Sequence, residues 1–267
     1  MNANSLQTYP VILAKADGFQ AASDEVSTEV PVALVYNGIA HVVLMATPEH
    51  LSELALGFSL SEGIIDQVSQ VYDIDTASDP NGLVVNLEIA TASFQRLKGR
   101  RRNMSGRTGC GLCGLDSLAA VLPDIQPVQQ RQSLAQSAIV GALAHFDEGQ
   151  VLRARTGSVH GVAWANSAGQ IQATFEDVGR HNALDKMIGW GLRAGLDWQN
   201  GFVLLSSRAS FEMVVKAAAA GIGCVVAVSA PTAYAIDLAN QANITLVGFA
   251  RSQRQVIYTH SDYLRHE

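Results

Sequence analysis

The amino-acid sequence predicts an α/β protein of two domains. Its 267 residues are enough for one large domain or two ordinary ones. The second half alternates strand-like and helix-like segments, which is typical of a sheet with helices on its faces. The first half contains pairs of strand-like segments and a helix, which is typical of an α+β domain.

In the first half, turn residues and apolar spacing predict each element. Residues 1–25 show little periodicity and are predicted to be irregular. Residues 30–46 are predicted to form a β-hairpin around Asn37-Gly38. Thr47-Pro48 then supplies an N-cap and a first-turn proline for a helix that reaches about Leu60.

A second hairpin and a cationic segment complete the first half. The hairpin is predicted from 71–74 and 83–89, which flank an Asp-Pro-Asn-Gly turn. A short helix is predicted before a basic, cysteine-containing loop over 96–114. We place the domain boundary after residue 128, in the polar connection that follows, which gives domains of 1–128 and 129–267.

The second half is predicted to contain four helices and six strands. A helix over 133–146 opens it, and the other helices are 180–193, 210–220 and 232–239. The strands are 161–166, 170–175, 202–206, 225–228, 244–249 and 256–259. Because the strands alternate with helices, we expect the carboxyl ends of several strands to lie at one edge of the sheet, where open α/β sheets bind ligands.

Composition excludes several classes of protein. A hydrophobic fraction of 48% and a charged fraction of 16% are typical of a compact soluble protein. The net charge of −6 argues against general nucleic-acid binding. The uncharged stretch 217–236 is interrupted by glycine and proline, so we expect no membrane span. Three cysteines and no signal-peptide pattern favour a cytoplasmic protein with working thiols.

The densest chemistry lies in the stretch RLKGRRRNMSGRTGCGLCG, residues 96–114. Six of the 18 Lys and Arg residues of the chain fall within 96–107, directly before Cys110 and Cys113. Positive charge stabilises a thiolate over a thiol, and the neighbouring glycines leave the sulfur atoms accessible. The pattern favours a sulfur carrier, while a redox disulfide and half of a zinc site stay open as alternatives. Cys224 lies in an apolar run and is expected to be a core residue.

Several polar residues follow predicted strands. Glu176 to His181 and Ser206 to Arg208 lie at strand-to-helix junctions, where backbone N–H groups can bind anions. The stretch Phe249 to Arg254 puts two arginines beside an aromatic ring, a combination that suits a nucleotide. Helix capping and an ordinary hairpin turn are the simpler explanations. His160 has no role assigned and is more often a structural residue in such a position.

The motifs RTGCGLCG, EDVGRHNALDK, SSRASFEMVVKAA and LVGFARSQR together resemble the FdhD family of formate dehydrogenase accessory sulfurtransferases. The resemblance covers residues 25–260. It implies that a cysteine desulfurase donates persulfide sulfur, which passes to Mo-bis(molybdopterin guanine dinucleotide), or bis-MGD, for formate dehydrogenase. By the resemblance, Cys110 is the persulfide carrier and Cys113 supports it. The residues that the resemblance implies bind the cofactor and its guanine nucleotide are Phe249, Ala250, Arg251, Ser252, Gln253 and Arg254.

The resemblance also implies a cytidine-deaminase-like, three-layer α/β second domain, and we expect a homodimer. No metal ligands are assigned. The chain lacks the HxE motif of the deaminases, so deaminase activity is not expected. Two other functions stay open: a chaperone that binds bis-MGD without moving sulfur, and a zinc hydrolase of deaminase ancestry.

Overall fold

The computed structural model describes residues 4–104, 125–129 and 133–266. Of helix residues 100–104 it describes the backbone alone. Cys110 and Cys113 of the predicted persulfide site, and Arg107 before them, therefore lie outside the described residues.

The first half contains a hairpin, a four-stranded sheet and two helices. The elements are β1 (Leu6–Lys15), β2 (Gly18–Ser27), β3 (Val30–Tyr36), β4 (Ile39–Ala46), α1 (Leu51–Ser61), β5 (Val71–Asp79), β6 (Gly82–Ile89) and α2 (Thr91–Met104). The sheet has the order β4-β3-β6-β5, in which β3 and β6 are parallel. Both hairpins predicted after residue 30 are confirmed.

The second half contains a six-stranded sheet. Its elements are β7 (Leu134–Ala135), α3 (Gln136–His145), α4 (Val151–Thr156), β8 (His160–Asn166), β9 (Ile171–Asp177), α5 (Arg180–Ala194), β10 (Gly201–Leu205), α6 (Phe211–Ala220), β11 (Cys224–Ala227), α7 (Ala233–Gln241), β12 (Thr245–Arg251), β13 (Arg254–Ile257) and β14 (Leu264–Arg265). The sheet order is β13-β12-β11-β10-β8-β9, and β10, β11 and β12 are parallel. The six predicted strands and four predicted helices are confirmed in their order, while the short elements β7, α4 and β14 were not predicted.

Alternate side chains of this sheet pack into two hydrophobic layers. Val203 and Leu205 of β10 belong to the layer that contains α5, α6 and α7. Phe202 and Leu204 belong to the opposite layer, which contains α3. Strands buried on both faces have near-continuous apolar sequences, which is why they were predictable. The expected three-layer α/β arrangement is thus present.

The two halves share one hydrophobic core, because residues of β3, β6 and α1 pack with those of α5 and α6. Helices α1 and α5 cross closely at two glycines. A Cβ atom on Gly57 would lie 1.8 Å from the Asp185 carbonyl oxygen, and one on Gly189 would lie 1.9 Å from that of Glu53. The predicted boundary after residue 128 stays a prediction.

Three local predictions are wrong. Within the stretch 1–25 that was predicted to be irregular, residues 6–25 belong to the β1–β2 hairpin, which extends to Ser27. Its strands lack the alternating pattern because both of its faces are largely exposed. Thr47 does not cap α1, which begins at Leu51, but donates to the Asp177 carboxylate at 2.8 Å. The segment 96–104 of the predicted loop is helical, since Arg, Lys and Met are good helix formers.

No helix in the described part of the chain is both long enough and apolar enough to cross a membrane.

Candidate functional site

One edge of the six-stranded sheet collects most of the predicted site residues. The parallel strands β10, β11 and β12 all end there. Strand β8 runs antiparallel to β10 and therefore starts there, while β9 ends there with His160 opposite Asp177. We call this the carboxyl edge. It brings together His160, the junction 176–181, the junction 206–208 and the turn 249–254.

His160 and Ser206 form the centre of the carboxyl edge. The Gly161 N–H donates to Ser206 Oγ at 2.9 Å, and the Ser206 N–H donates to the Gly161 carbonyl at the same distance. His160 is half-buried. Burial lowers the pKa of its imidazole, and the positive charges of Arg180 and Arg153 lower it further. The ring is therefore neutral at neutral pH.

A carboxylate from α6 binds two side chains of the first turn of α5. Glu212 Oε2 lies 2.7 Å from His181 Nε2 and 3.6 Å from an Arg180 guanidinium nitrogen. Burial lowers the pKa of His181, although the Glu212 charge opposes that shift. The neutral ring then donates its Nε2–H to Glu212, a tautomer inferred from this contact. Glu212 offsets the conflict between the Arg180 charge and the helix dipole, and the sequence analysis missed this role of Glu212.

The carboxyl edge also holds polar groups whose hydrogen-bonding capacity is unused. Within the described ranges, Arg180 Nε, Ser210 Oγ and Tyr234 Oη are buried and have no hydrogen-bond partner. Ser210 is the N-cap residue of α6, yet its side chain makes no capping bond. The Tyr234 ring packs beside Phe211, with centroids 5.5 Å apart. Buried polar atoms are usually satisfied, so a cluster of unsatisfied ones favours a binding site.

The predicted nucleotide turn, residues 249–254, spans the end of β12 and the start of β13. Phe249 has a left-handed backbone, with φ at 48°, and the residue is 44% exposed. Its N–H donates to the Ser229 carbonyl at 3.1 Å, which holds the residue in this conformation. A bulky residue in this region is rare and marks local strain.

The side chains of this turn face different environments. Arg251 donates to the Val228 carbonyl at 2.7 Å, so its guanidinium is held against the preceding strand end. Ala250 is buried in the core layer of α3, which leaves its backbone as the part a ligand can reach. Ser252, Gln253 and Arg254 are exposed. Arg254 is therefore the more accessible arginine.

A buried ion pair between β9 and α5 lies next to the carboxyl edge. Asp177 Oδ2 lies 2.7 Å from Lys186 Nζ, and both side chains are fully buried. The other Asp177 oxygen accepts from the Gly179 N–H at 2.9 Å. Lys186 also donates to Thr47 Oγ1 at 2.7 Å, so a residue of the first half completes the cluster. The charged residues on the buried face of α5 are the sequence signal that could have predicted this ion pair.

The cationic segment is described in part. Arg96 forms a 2.7 Å ion pair with Asp66. It lines an open cleft of about 670 Å³ between α1, α2 and α6, together with Glu62 and Ile125. Beneath the cleft, Lys216 is almost fully buried and lies 2.9 Å from both Glu62 and Asp185. The described residues contain no group of three His, Cys, Asp or Glu side chains placed to hold a metal.

Residues 27–265 match the model of the FdhD/NarQ family. The chain belongs to this family. It is 49% identical over 260 residues to the sulfur carrier protein FdhD of Cupriavidus necator, covering 97% of this chain and 90% of the relative. It is 48% identical over 248 residues to the sulfur carrier protein FdhD of Bordetella petrii, covering 93% and 89%. The family resemblance deduced from the motifs is confirmed.

The fold of this FdhD/NarQ family member is also similar to a crystal structure. A protein described as a formate dehydrogenase accessory protein, from Desulfotalea psychrophila, superimposes with a TM-score of 0.79 at 22% identity. The similarity covers 98% of this chain and 100% of that chain. At this identity the likeness establishes the shared fold.

Proposed function

We propose that this protein is a sulfur carrier that serves formate dehydrogenase. In this proposal Cys110 takes persulfide sulfur from a cysteine desulfurase and delivers it to the molybdenum of bis-MGD. The observation that carries the proposal is the family match, because its relatives over nine-tenths of this chain are named sulfur carriers. Working thiols favour a cytoplasmic location for the exchange.

The loading step is a thiol exchange. The Cys110 thiolate attacks the outer sulfur of the donor persulfide, a new S–S bond forms, and the donor cysteine leaves as a thiolate. This step needs no oxidant. In delivery, the S–S bond on Cys110 breaks as the sulfur binds the metal of the substrate. The metal supplies the two electrons that make the sulfur a sulfide, and Cys110 returns to a thiolate.

The carboxyl edge supports the choice of substrate. A guanine nucleotide offers a flat base and phosphate charges, which an exposed aromatic ring and forked guanidinium groups can bind. Phe249, Arg251 and Arg254 supply these groups on one turn. The unsatisfied donors Arg180 Nε and Ser210 Oγ lie at neighbouring junctions of the same edge.

The first experiment measures sulfur loading. Intact mass is recorded after incubation with a cysteine desulfurase and cysteine. We expect the wild type and Cys224→Ala to gain one sulfur and Cys110→Ala to gain none, because Cys224 is buried in β11. Full loading of Cys110→Ala would transfer the carrier role to Cys113. No loading of the wild type would favour the cofactor chaperone.

The second experiment measures nucleotide binding by calorimetric titration of GDP. We expect Arg254→Ala to weaken binding by about 1.5–3 kcal/mol, the usual range for a hydrogen bond to a charged group. Arg193→Ala is the matched control, because Arg193 lies near the far end of α5 and pairs with Glu53. Equal affinities for wild type and Arg254→Ala would show that the turn 249–254 does not bind the nucleotide.

A further inference from the structure

The cleft between α1, α2 and α6 has a wall that is partly apolar. Its volume is about 670 Å³, and it is open to solvent. Ile125, Val215 and Ala218 line it and are only partly buried, and Ala219 beside them is exposed. A cleft of this size, with apolar and polar groups in its lining, is typical of a binding site.

The charged side chains in the described lining of the cleft are already paired. Arg96 lies 2.7 Å from Asp66, and Glu62 lies 2.9 Å from the buried Lys216. A phosphate in the cleft would have to compete with the Asp66 carboxylate for Arg96, whereas an apolar side chain can enter without disturbing either pair. The cleft therefore suits a side chain of another protein better than it suits an anionic small molecule.

Helix α2, which borders the cleft, is strongly basic. Five of its 14 residues, all within 96–102, are Arg or Lys, and none is acidic, although the chain as a whole has a charge of −6. Positions 96 and 100 are one helical turn apart and carry like charges, as do positions 98 and 102. Like charges at this spacing destabilise a helix, so an acidic protein surface opposite α2 would stabilise it.

The chain connects the thiols of the predicted persulfide site to the same region. Cys110 follows Met104, the last residue of α2, by six residues, which can span at most about 22 Å. The described chain resumes at Ile125, in the wall of the cleft. A donor persulfide has to reach bonding distance of Cys110, so the protein that carries it must bind near α2.

We propose that α2 and the cleft together form the docking surface for the protein that donates the sulfur. The donor presents carboxylates to the basic residues of α2 and inserts an apolar side chain into the cleft beside Ile125 and Val215. Attraction between the opposite charges speeds the encounter, and the contact in the cleft fixes the orientation of the bound donor. This inference rests on the proposed function, because it assigns a place to the donor that a sulfur carrier requires.

The docking surface and the carboxyl edge use different ends of α6. Ser210 and Phe211 stand at the start of this helix, at the carboxyl edge, whereas Ala218 and Ala219 line the cleft near its end. Nine residues of helix correspond to about 14 Å along the axis. A donor side chain in the cleft therefore does not occupy the position expected for the nucleotide.

Loading kinetics of the full chain test the proposal. The initial rate of sulfur transfer is measured against the concentration of the cysteine desulfurase used in the loading experiment. We expect Ala219→Glu, which puts a carboxylate and added bulk into the cleft, to raise the half-saturating desulfurase concentration roughly tenfold, as for a residue central to an interface. Ala144→Glu is the matched control and should leave it unchanged, because Ala144 is an exposed alanine of α3, on the opposite face of the sheet from α6.

A second variant tests the basic helix. Replacing Arg100, Arg101 and Arg102 together by Gln should also raise the half-saturating desulfurase concentration roughly tenfold and weaken its dependence on NaCl, because fewer opposite charges remain to be screened. Alkylation by iodoacetamide, a small reagent that needs no docking, reports the reactivity of the thiols separately. We expect the loading rate to fall more than the alkylation rate.

The outcomes distinguish the docking surface from the carrier role. A wild type that gains no sulfur would contradict the proposed function, and the docking inference with it. A wild type that loads, together with Ala219→Glu and triple-Gln variants that saturate at the wild-type desulfurase concentration, would overturn the docking surface alone. A triple-Gln variant that loads normally but loses affinity for GDP in calorimetry would assign α2 to the cofactor phosphates and would also overturn it.

Discussion

Replacing Lys186 by methionine tests how the buried ion pair supports the fold. The substitution keeps a long apolar side chain and removes the charge that lies 2.7 Å from Asp177. The Asp177 carboxylate would then be buried without a counterion. Burial already lowers the pKa of Lys186 despite the opposing charge of Asp177, so desolvation outweighs attraction at this position.

The magnitude follows from the contacts that Asp177 retains. Breaking a buried pair by removing one partner costs about 3–5 kcal/mol. Asp177 would still accept from the Thr47 N–H and hydroxyl, the Gly179 N–H and the Asn182 amide, at 2.8–3.1 Å. These four donors compensate the carboxylate in part, so we expect Lys186→Met to lower the free energy of unfolding by about 3 kcal/mol.

Urea denaturation with linear extrapolation measures the change. The double variant Lys186→Met with Asp177→Asn removes both charges, and we expect it to recover at least about 2 kcal/mol of the loss. Arg193→Met is the control, because its pair with Glu53 also joins α5 to α1 but lies at the surface and is expected to cost less than about 1 kcal/mol. A Lys186→Met loss no larger than that of the control would refute this reasoning.

Three further predictions concern packing, pH and the nucleotide turn. Gly57→Ala should lower the free energy of unfolding by about 1–3 kcal/mol, because the added methyl group overpacks the α1–α5 crossing. Gly141→Ala in α3, whose Cβ would meet nothing within 4 Å, should instead raise the free energy of unfolding by about 0.5–1 kcal/mol, and urea denaturation measures both changes. His160 and His181 have lowered pKa values in the folded protein, so the unfolded chain binds more protons, and the free energy of unfolding should fall as the pH drops below 6.5. The double variant His160→Gln with His181→Gln should flatten this pH dependence, and an unchanged pH dependence would contradict the prediction. Phe249→Gly should change the free energy of unfolding by less than about 1 kcal/mol, because relief of its backbone strain offsets the added chain entropy, yet it should weaken GDP binding measured by calorimetry.

The sequence predicted the second half well because burial on two faces leaves a strong pattern. The strand predicted at 202–206 is Gly201–Leu205, and the helix predicted at 180–193 is Arg180–Ala194. Uninterrupted apolar runs and helical spacing identify such elements without knowledge of their neighbours. The predicted location of the site then follows from the rule that open α/β sheets bind ligands at the carboxyl ends of their strands.

The failures have a different physical cause. The β1–β2 hairpin was missed because neither of its faces packs on the core, so its sequence carries no alternation to detect. Glu212 was missed because its role depends on α6 lying beside α5, 31 residues away from His181 in the chain. Thr47 follows a common helix-start pattern, but the Asp177 carboxylate binds it instead. Each case depends on a partner that local sequence does not reveal.

Three departures from local rules lie at the carboxyl edge. Asparagine tolerates a left-handed backbone, as Asn37 and Asn243 do here, but Phe249 is an aromatic residue held in that conformation. Arg180 stands in the first turn of a helix that disfavours cations, and Ser210 occupies an N-cap without making the capping bond. All three lie at the carboxyl edge, above a rigid ion pair and a close helix crossing. Strain and unsatisfied groups persist where a ligand can relieve them, so these residues, rather than the well-packed core, should respond to bound nucleotide.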